Sequence, residues 1–343
     1  MTKPNRLSSK PAADVLVVGG GLAGLAGALT LARARRSVLV VDAGTPRNAP
    51  AAGVHGLLGR DGTPPAGLLD RGRAEVRSYG GEIVRGEVET VERDGDRFAV
   101  RVAGGGTLRA RRLLVTTGLV DELPVVPGLR ERWGRDVVHC PYCHGWEVRD
   151  RAIGVLATGP MSVHQALLFR QWSADVTLFT HRAPAPDPEQ AERLAARGIA
   201  VVTGEVAALE VAGDRLTGVR LADGTVIARE VVAVAPRMVA RAALLESLGL
   251  RAVEHPSGAG EHVPADPTGR TEVAGVWVAG NVTDLSAQVG AAAAAGAFAA
   301  AQINLDLVTE ETDAAVAAYR DPFSAQAEAR LAELAAGDRR HGL

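Results

Sequence analysis

Short runs of consecutive apolar, largely β-branched residues alternate along the chain with longer stretches of apolar and small residues at helical spacing. Residues 14–18 form the first run, which ends in Gly19-Gly20-Gly21-Leu22-Ala23-Gly24. A helical stretch follows over 25–35, and the next strand, 37–41, ends in Asp42. Strand, glycine turn, helix and strand predict a βαβ unit on a parallel sheet. A second unit reads the same way, with a strand at 152–157, a helix over 162–172 and a strand at 175–179. Between the units, 82–91 and 98–102 read as strands and turns, Gly104-Gly105-Gly106 as a turn, and 113–115 as a short strand. The pattern returns at 275–279, ahead of an Ala-rich helix. Residues 310–343 read as two short helical stretches split by Pro322, with Gly337 as a stop. No fixed-period repeat is visible.

Composition narrows the function classes. The chain has 343 residues, 47% of them hydrophobic and 23% charged. That length is enough for two domains. A net charge of -2 offers no basic footprint for nucleic acid and no polybasic membrane stripe. Aromatics at 3% are too few for base-stacking platforms. The 38 basic residues are 36 Arg and two Lys, Lys3 and Lys10. With no lysine beyond residue 10, a P-loop lysine, a Schiff-base lysine and pyridoxal phosphate chemistry are excluded. Residues 1–11 read as a loose polar tail, and the first apolar run is too short for a signal-peptide core. The small residues of 290–301 suit close helix packing better than lipid. The expectation is a soluble, cytoplasmic protein with no nucleic-acid or membrane partner.

Two motifs carry the chemistry. Gly19, Gly21 and Gly24 make G-x-G-x-x-G directly after a strand. The first permits the tight turn, the second lets a pyrophosphate approach the backbone, and the third lets helix and strand pack closely. The free N–H groups and positive end of the following helix face the pyrophosphate. Asp42, 23 residues after Gly19, ends the next strand, where a carboxylate takes a ribose hydroxyl. The second motif is His139-Cys140-Pro141-Tyr142-Cys143-His144-Gly145-Trp146, which holds the only two cysteines of the chain. A structural disulfide across so small a loop gains little entropy, and a reducing cytoplasm opposes it. Zinc held with His139 and His144 is the other alternative, but adjacent His and Cys side chains converge poorly on one tetrahedral ion. A redox-active pair accounts better for C-x-x-C beside a dinucleotide site, with no metal, since this spacing lowers a thiol pKa and permits fast exchange.

On these motifs, with Thr116-Thr117-Gly118 and Gly275-Val276-Trp277-Val278-Ala279-Gly280, residues 13–307 resemble the low-molecular-weight thioredoxin reductase family of flavoproteins. The resemblance implies an α/β fold of two Rossmann-like dinucleotide-binding domains of the three-layer ββα type, the second inserted in the first. FAD would be held by residues 12–118 and 240–308, with an inserted pyridine-nucleotide-type domain at 121–237 carrying the C-x-x-C. A C-terminal helical tail at 309–343 and a homodimer as the assembly complete the implied organisation. Positions implied for FAD are Gly19, Gly21, Leu22, Ala23, Gly24, Asp42, Ala43, Arg47, Asn48, His55, Val88, Thr117, Gly118, Gly280, Asn281, Gln288 and Val289. Gln288 opens the Ala-rich helix, and ordinary helix capping is its other reading. His55 reads equally as a surface-loop histidine, while His164, His255 and His262 read as surface histidines.

The departures from that family carry more information. His144 stands where the family has an Asp after the second Cys. The second glycine loop is Ala157-Thr158-Gly159-Pro160-Met161-Ser162, in which Ala opposes the positive-φ turn and Pro removes a donor that could face phosphate. His181-Arg182-Ala183 keeps one arginine where a 2′-phosphate would want more, and Asn281 replaces the Asp of the last flavin motif. These features, with residues 47–62, resemble the branch of dithiol oxidases that close disulfides in small natural products such as holomycin and gliotoxin. That resemblance implies electrons passing from a small-molecule dithiol through Cys140, Cys143 and FAD to O2, giving H2O2, without NADPH. In it, a substrate thiolate attacks Cys140, Cys143 faces the flavin, and His144 takes the thiol proton. An NADPH-dependent thioredoxin or disulfide reductase is the alternative.

Overall fold

The computed structural model describes residues 12–104, 106–321 and 325–338; the tail 1–11, Gly105 and Pro322 fall outside them. The first βαβ unit forms as the pattern predicts: β1 (Ala13–Val18), α1 (Leu22–Arg33) and β2 (Val38–Asp42). α1 starts immediately after Gly21 rather than after Gly24, because no residue of the motif's second half breaks the helix. β1 and β2 pair in parallel, Val15 opposite Val38 and Val18 opposite Val41.

β1 shows how the sheet divides its two faces. Val15 and Val17 point into one core with Leu25, Ala28 and Leu31 of α1, whereas Leu16 and Val18 point into another with Phe98 and Val100. The run is apolar throughout because both faces are covered. The sheet runs in the order Glu82–Arg85, β2, β1, Gly106–Val115, Arg97–Val102, Val88–Asp94, with Val276–Val278 also beside Gly106–Val115. Helices cover one face and the antiparallel strands of residues 88–102 help close the other, giving three layers.

A second, five-stranded parallel sheet takes its strands from residues 137–234, in the order Ala200–Val202, Val176–Phe179, Ile153–Leu156, Val231–Val234, Val137–Val138. The first sheet is built from residues before and after that span, so one Rossmann-like unit is inserted in the other. Strands Leu119–Glu122 and Arg237–Ala240, which carry the chain into and out of the inserted unit, pair antiparallel as a ribbon between them.

Three expectations need correction. The strand read at 113–115 spans Gly106–Val115, because the alternation of Leu108 and Ala110 with charged residues extends the ladder. The Ala-rich helix does not stop before 310 but runs unbroken over Val289–Arg320, so the first of the two tail stretches is its continuation. Arg36, Arg111 and Arg112 hold it there through Glu311, Glu310 and Asp306. The second stretch, Ala325–Asp338, runs through Gly337. By length and composition Val289–Arg320 could cross a membrane, yet it crosses α1 so closely that a Cβ on Gly296 would lie 1.9 Å from the Ala23 carbonyl oxygen.

Candidate active site

The first glycine motif forms an anion cradle. Gly19 turns the chain at φ +102°, a conformation that side chains resist. Gly24 sits where a Cβ would be 1.9 Å from the Gly19 carbonyl oxygen, which is the close helix–turn contact expected of the third glycine. The direction of a Cβ on Gly21 is open for 4 Å, and α1 has no side-chain cap. Its first N–H groups are therefore free to meet an anion. Asp42 Oδ1 accepts from the Gly20 and Gly44 N–H groups, and its Oδ2 lies 3.2 Å from Arg73.

This cradle opens into a cavity of about 1720 Å³. A single small-ligand site occupies only ~300–1,000 Å³. The wall gathers Gly19, Gly21, Leu22, Ala23, Asp42, Ala43, Arg47, Asn48, His55, Val88, Thr117, Gly118, Cys140, Cys143, His144, Gly280, Asn281, Gln288 and Val289. Of the positions expected to hold FAD or do the chemistry, Gly24 alone lies behind the wall, as its packing contact requires. The uncapped helix end, the glycine cradle and the strand-end carboxylate fit the pyrophosphate and ribose of a dinucleotide such as FAD.

Cys140 and Cys143 stand at opposite ends of the first turn of the short helix Pro141–His144, with Cys140 at its N-cap. Both are half-buried thiols. The Cys143 thiol hydrogen-bonds Cys140 Sγ, and this bond brings Cys140 down to about 7 against the opposing effect of burial. The Cys143 and Tyr142 backbone N–H groups and the Arg47 charge help, since each favours the thiolate. The same bond and burial push Cys143 up. Cys140 is therefore the thiolate of the pair near neutral pH. Gln288, at the N-cap of Val289–Arg320, does not cap that helix with its side chain; its Nε2 reaches Cys140 Sγ at 3.9 Å.

Arg47 is held in a two-point ion pair with Asp121, Nε–Oδ2 2.8 Å and Nη2–Oδ1 2.6 Å. This fork geometry fixes the guanidinium, and from there its charge favours both thiolates. Burial, with Arg47, keeps His139 neutral by holding it down to about 4. Burial also lowers His144, against the pull of Glu147. The His144 Nδ1 is enclosed and unbonded, so the ring is an unprotonated base beside the cysteines at neutral pH.

The second glycine loop has a different geometry. Among its residues none takes a positive φ, and Ser162 Oγ accepts from the Thr158 and Gly159 N–H groups at 3.0 and 3.3 Å. Two of the loop's N–H donors are thus bonded within the loop. Arg182, the arginine after the next strand, is paired with Glu205 at the surface. In the last motif Asn281 Nδ2 donates to the carbonyls of Asp284 and Ala287, both at 3.0 Å, and shapes that loop.

Sequence reasoning overlooked Ser162, Asp121 and Glu147. The serine opening a helix just after a glycine was a legible signal, whereas Asp121 is recognisable only once Arg47 is seen beside it. His255 and His262, read as surface histidines, are half-buried and stack edge-to-face at 4.8 Å, with His255 on the cavity wall.

Residues 13–301 match the family described as pyridine nucleotide-disulphide oxidoreductase. Thioredoxin reductase tcpT of Claviceps purpurea (strain 20.1) is 32% identical over 286 residues, covering 80% of this chain and 88% of its own. Thioredoxin reductase sirT of Leptosphaeria maculans is 30% identical over 310 residues, 85% of this chain and 93% of its own. Among solved structures, HlmI superimposes with a TM-score of 0.86 at 49% identity, over 92% of this chain and 99% of its own. The resemblance to thioredoxin reductases read from the sequence is borne out.

Proposed function

The chain belongs to the pyridine nucleotide-disulphide oxidoreductase family, and from that premise we propose that it is an FAD-dependent dithiol oxidase. It closes an intramolecular disulfide in a small natural-product dithiol, passes the electrons to O2, and works as a cytoplasmic homodimer without NADPH. The observation that carries this reading is the second glycine loop, whose Thr158 and Gly159 donors are taken by Ser162. Relatives named as reductases share the architecture, so the direction of electron flow rests on that loop rather than on the fold.

The residues divide the work as follows. With the pair oxidised, a substrate thiolate attacks Cys140 Sγ, forming a mixed disulfide and releasing Cys143 as thiolate. The second substrate thiolate then attacks the substrate sulfur of that bond, so the product leaves as a disulfide and the enzyme keeps the dithiol. Arg47, whose charge favours both thiolates, assists the departure of each cysteine sulfur. His144, neutral in its buried setting, takes the substrate thiol proton. The glycine cradle at Gly19 to Gly24 and Asp42 would hold the dinucleotide. FAD, when bound, would supply the acceptor for the two electrons of the enzyme dithiol, with O2 as terminal oxidant and H2O2 as its product.

The test is anaerobic mixing of the flavin-loaded protein with excess NADPH and, separately, with a small dithiol. Bleaching by the dithiol and not by NADPH, with recovery in air, is expected. Rapid bleaching by NADPH overturns the reading in favour of an NADPH-dependent disulfide reductase.

A further inference from the structure

Two side chains on or beside the cavity wall have no part in this scheme, His55 and Glu147. His55 lies between two carboxylates, with Nδ1 3.5 Å from Asp61 Oδ2 and Nε2 3.5 Å from Glu147 Oε1. Glu147 follows His144 by three residues in a helical turn closed by the Val148 N–H donating to the His144 carbonyl. Side chains three apart on such a turn leave from the same side. In the order Glu147, His55, Asp61 the side chains are 41%, 24% and 68% exposed, so the last is the most open to water. The Gly56 N–H fixes Asp61 from behind at 2.9 Å.

We propose that Glu147, His55 and Asp61 form the proton exit of the cysteine site, carrying to solvent the proton that His144 takes from a substrate thiol. The inference rests on thiol–disulfide exchange at Cys140 and Cys143, in either direction, and not on the identity of the electron acceptor.

With Cys140 ionised in the reduced pair, the balance leaves one proton for such an exit. Oxidising a dithiol to a disulfide releases two electrons and two protons. The electrons pass to the Cys140–Cys143 disulfide, which is left as a Cys140 thiolate and a Cys143 thiol, so one of the two protons is taken back and the other, accepted by His144, stays on a half-buried ring until another group takes it. Glu147 is the carboxylate beside that ring. A histidine can accept on one nitrogen while donating from the other, and His55 has a carboxylate opposite each. The groups facing His144 are Glu147, which favours its protonated form, and His55, which opposes it, with His139, Arg47 and the two cysteines in the same wall. Burial adds to the opposition, so His144 yields its proton readily to the acceptors beside it.

The experiment uses flavin-loaded wild type, His55→Gln and Glu147→Gln, with dithiothreitol reducing the flavin anaerobically over about pH 6 to 9. Each variant is expected to slow reduction on the order of tenfold, less than the roughly 10²–10⁴-fold effect of losing the base itself. Added imidazole should restore the rate in His55→Gln, and FAD affinity should stay at the wild-type value in Glu147→Gln. Wild-type rates in both variants overturn the proposal. So does slow reduction that imidazole leaves unchanged together with weakened FAD binding, since His55 is then a cofactor contact. Where wild type is reduced by NADPH and ignores dithiothreitol, the oxidase reading fails, and the same variants decide the relay in NADPH-driven reduction of a small aromatic disulfide.

Discussion

Gln288 Nε2 lies 3.9 Å from Cys140 Sγ, across 148 residues of sequence and between the two nucleotide-binding-type units. The contact brings the start of the long helix Val289–Arg320 to the thiol that ionises first.

A side-chain donor directed at sulfur favours thiolate over thiol. In the reduced enzyme, Cys140 should be alkylated by iodoacetamide with a midpoint at about pH 7, while Cys143 stays unreactive through that range. The sign follows from the depressed Cys140 value: reactivity appears as pH rises through it and is lost below. Gln288→Leu should move the midpoint upward by roughly half a pH unit. Peptide mass spectrometry across a pH series reads both sites, and an unmoved midpoint removes Gln288 from the thiolate's environment.

Arg47 and Asp121 tie the loop after β2 to the ribbon that enters the inserted unit. The Asp121 side chain is only 8% exposed and that of Arg47 27% exposed. Arg47→Met strands the buried carboxylate and should cost about 1–3 kcal/mol, less than for a fully buried pair because water reaches the arginine. The same change should raise the Cys140 midpoint. Adding Asp121→Asn should recover stability in denaturant titrations but not the midpoint, since the lost positive charge is not replaced.

Ser162 is 3% exposed and satisfies two backbone donors with one hydroxyl. Ser162→Ala should destabilise by about 0.5–1.5 kcal/mol, the net worth of a hydrogen bond to partly exposed donors, seen as a lower Tm. A Tm at the wild-type value would mean that water replaces the hydroxyl.

Gly296→Ala places a Cβ 1.9 Å from the Ala23 carbonyl oxygen and must push α1 away from the long helix. A loss of about 1–3 kcal/mol is expected from the overpacking. FAD should also be retained more weakly, because Ala23 belongs to the first turn of α1. Gly290→Ala is the control: its nearest neighbour is Leu57 Cδ1 at 3.8 Å, an ordinary contact. Thermal unfolding and flavin content after gel filtration separate the two variants.

Local patterns were sufficient for the β1-turn-α1-β2 unit, the glycine cradle and the C-x-x-C pair, because each depends on neighbours within one turn or one strand. Consecutive apolar residues, Gly19 at a forced positive φ and cysteines one helical turn apart are properties of short segments. Their departures were legible too, as Ala157 and Pro160 announced that the second loop would not repeat the first. Tertiary structure decided what no local pattern contains. It ran the Ala-rich helix on to Arg320 through ion pairs with Arg36, Arg111 and Arg112, where the sequence read a new tail element. It set Gln288 against Cys140, Arg47 against Asp121, and His55 between Asp61 and Glu147. Those pairings join residues up to 148 apart. They follow from how two sheets and their connecting ribbon pack, so the protonation states of the site are a property of the fold and not of the motif.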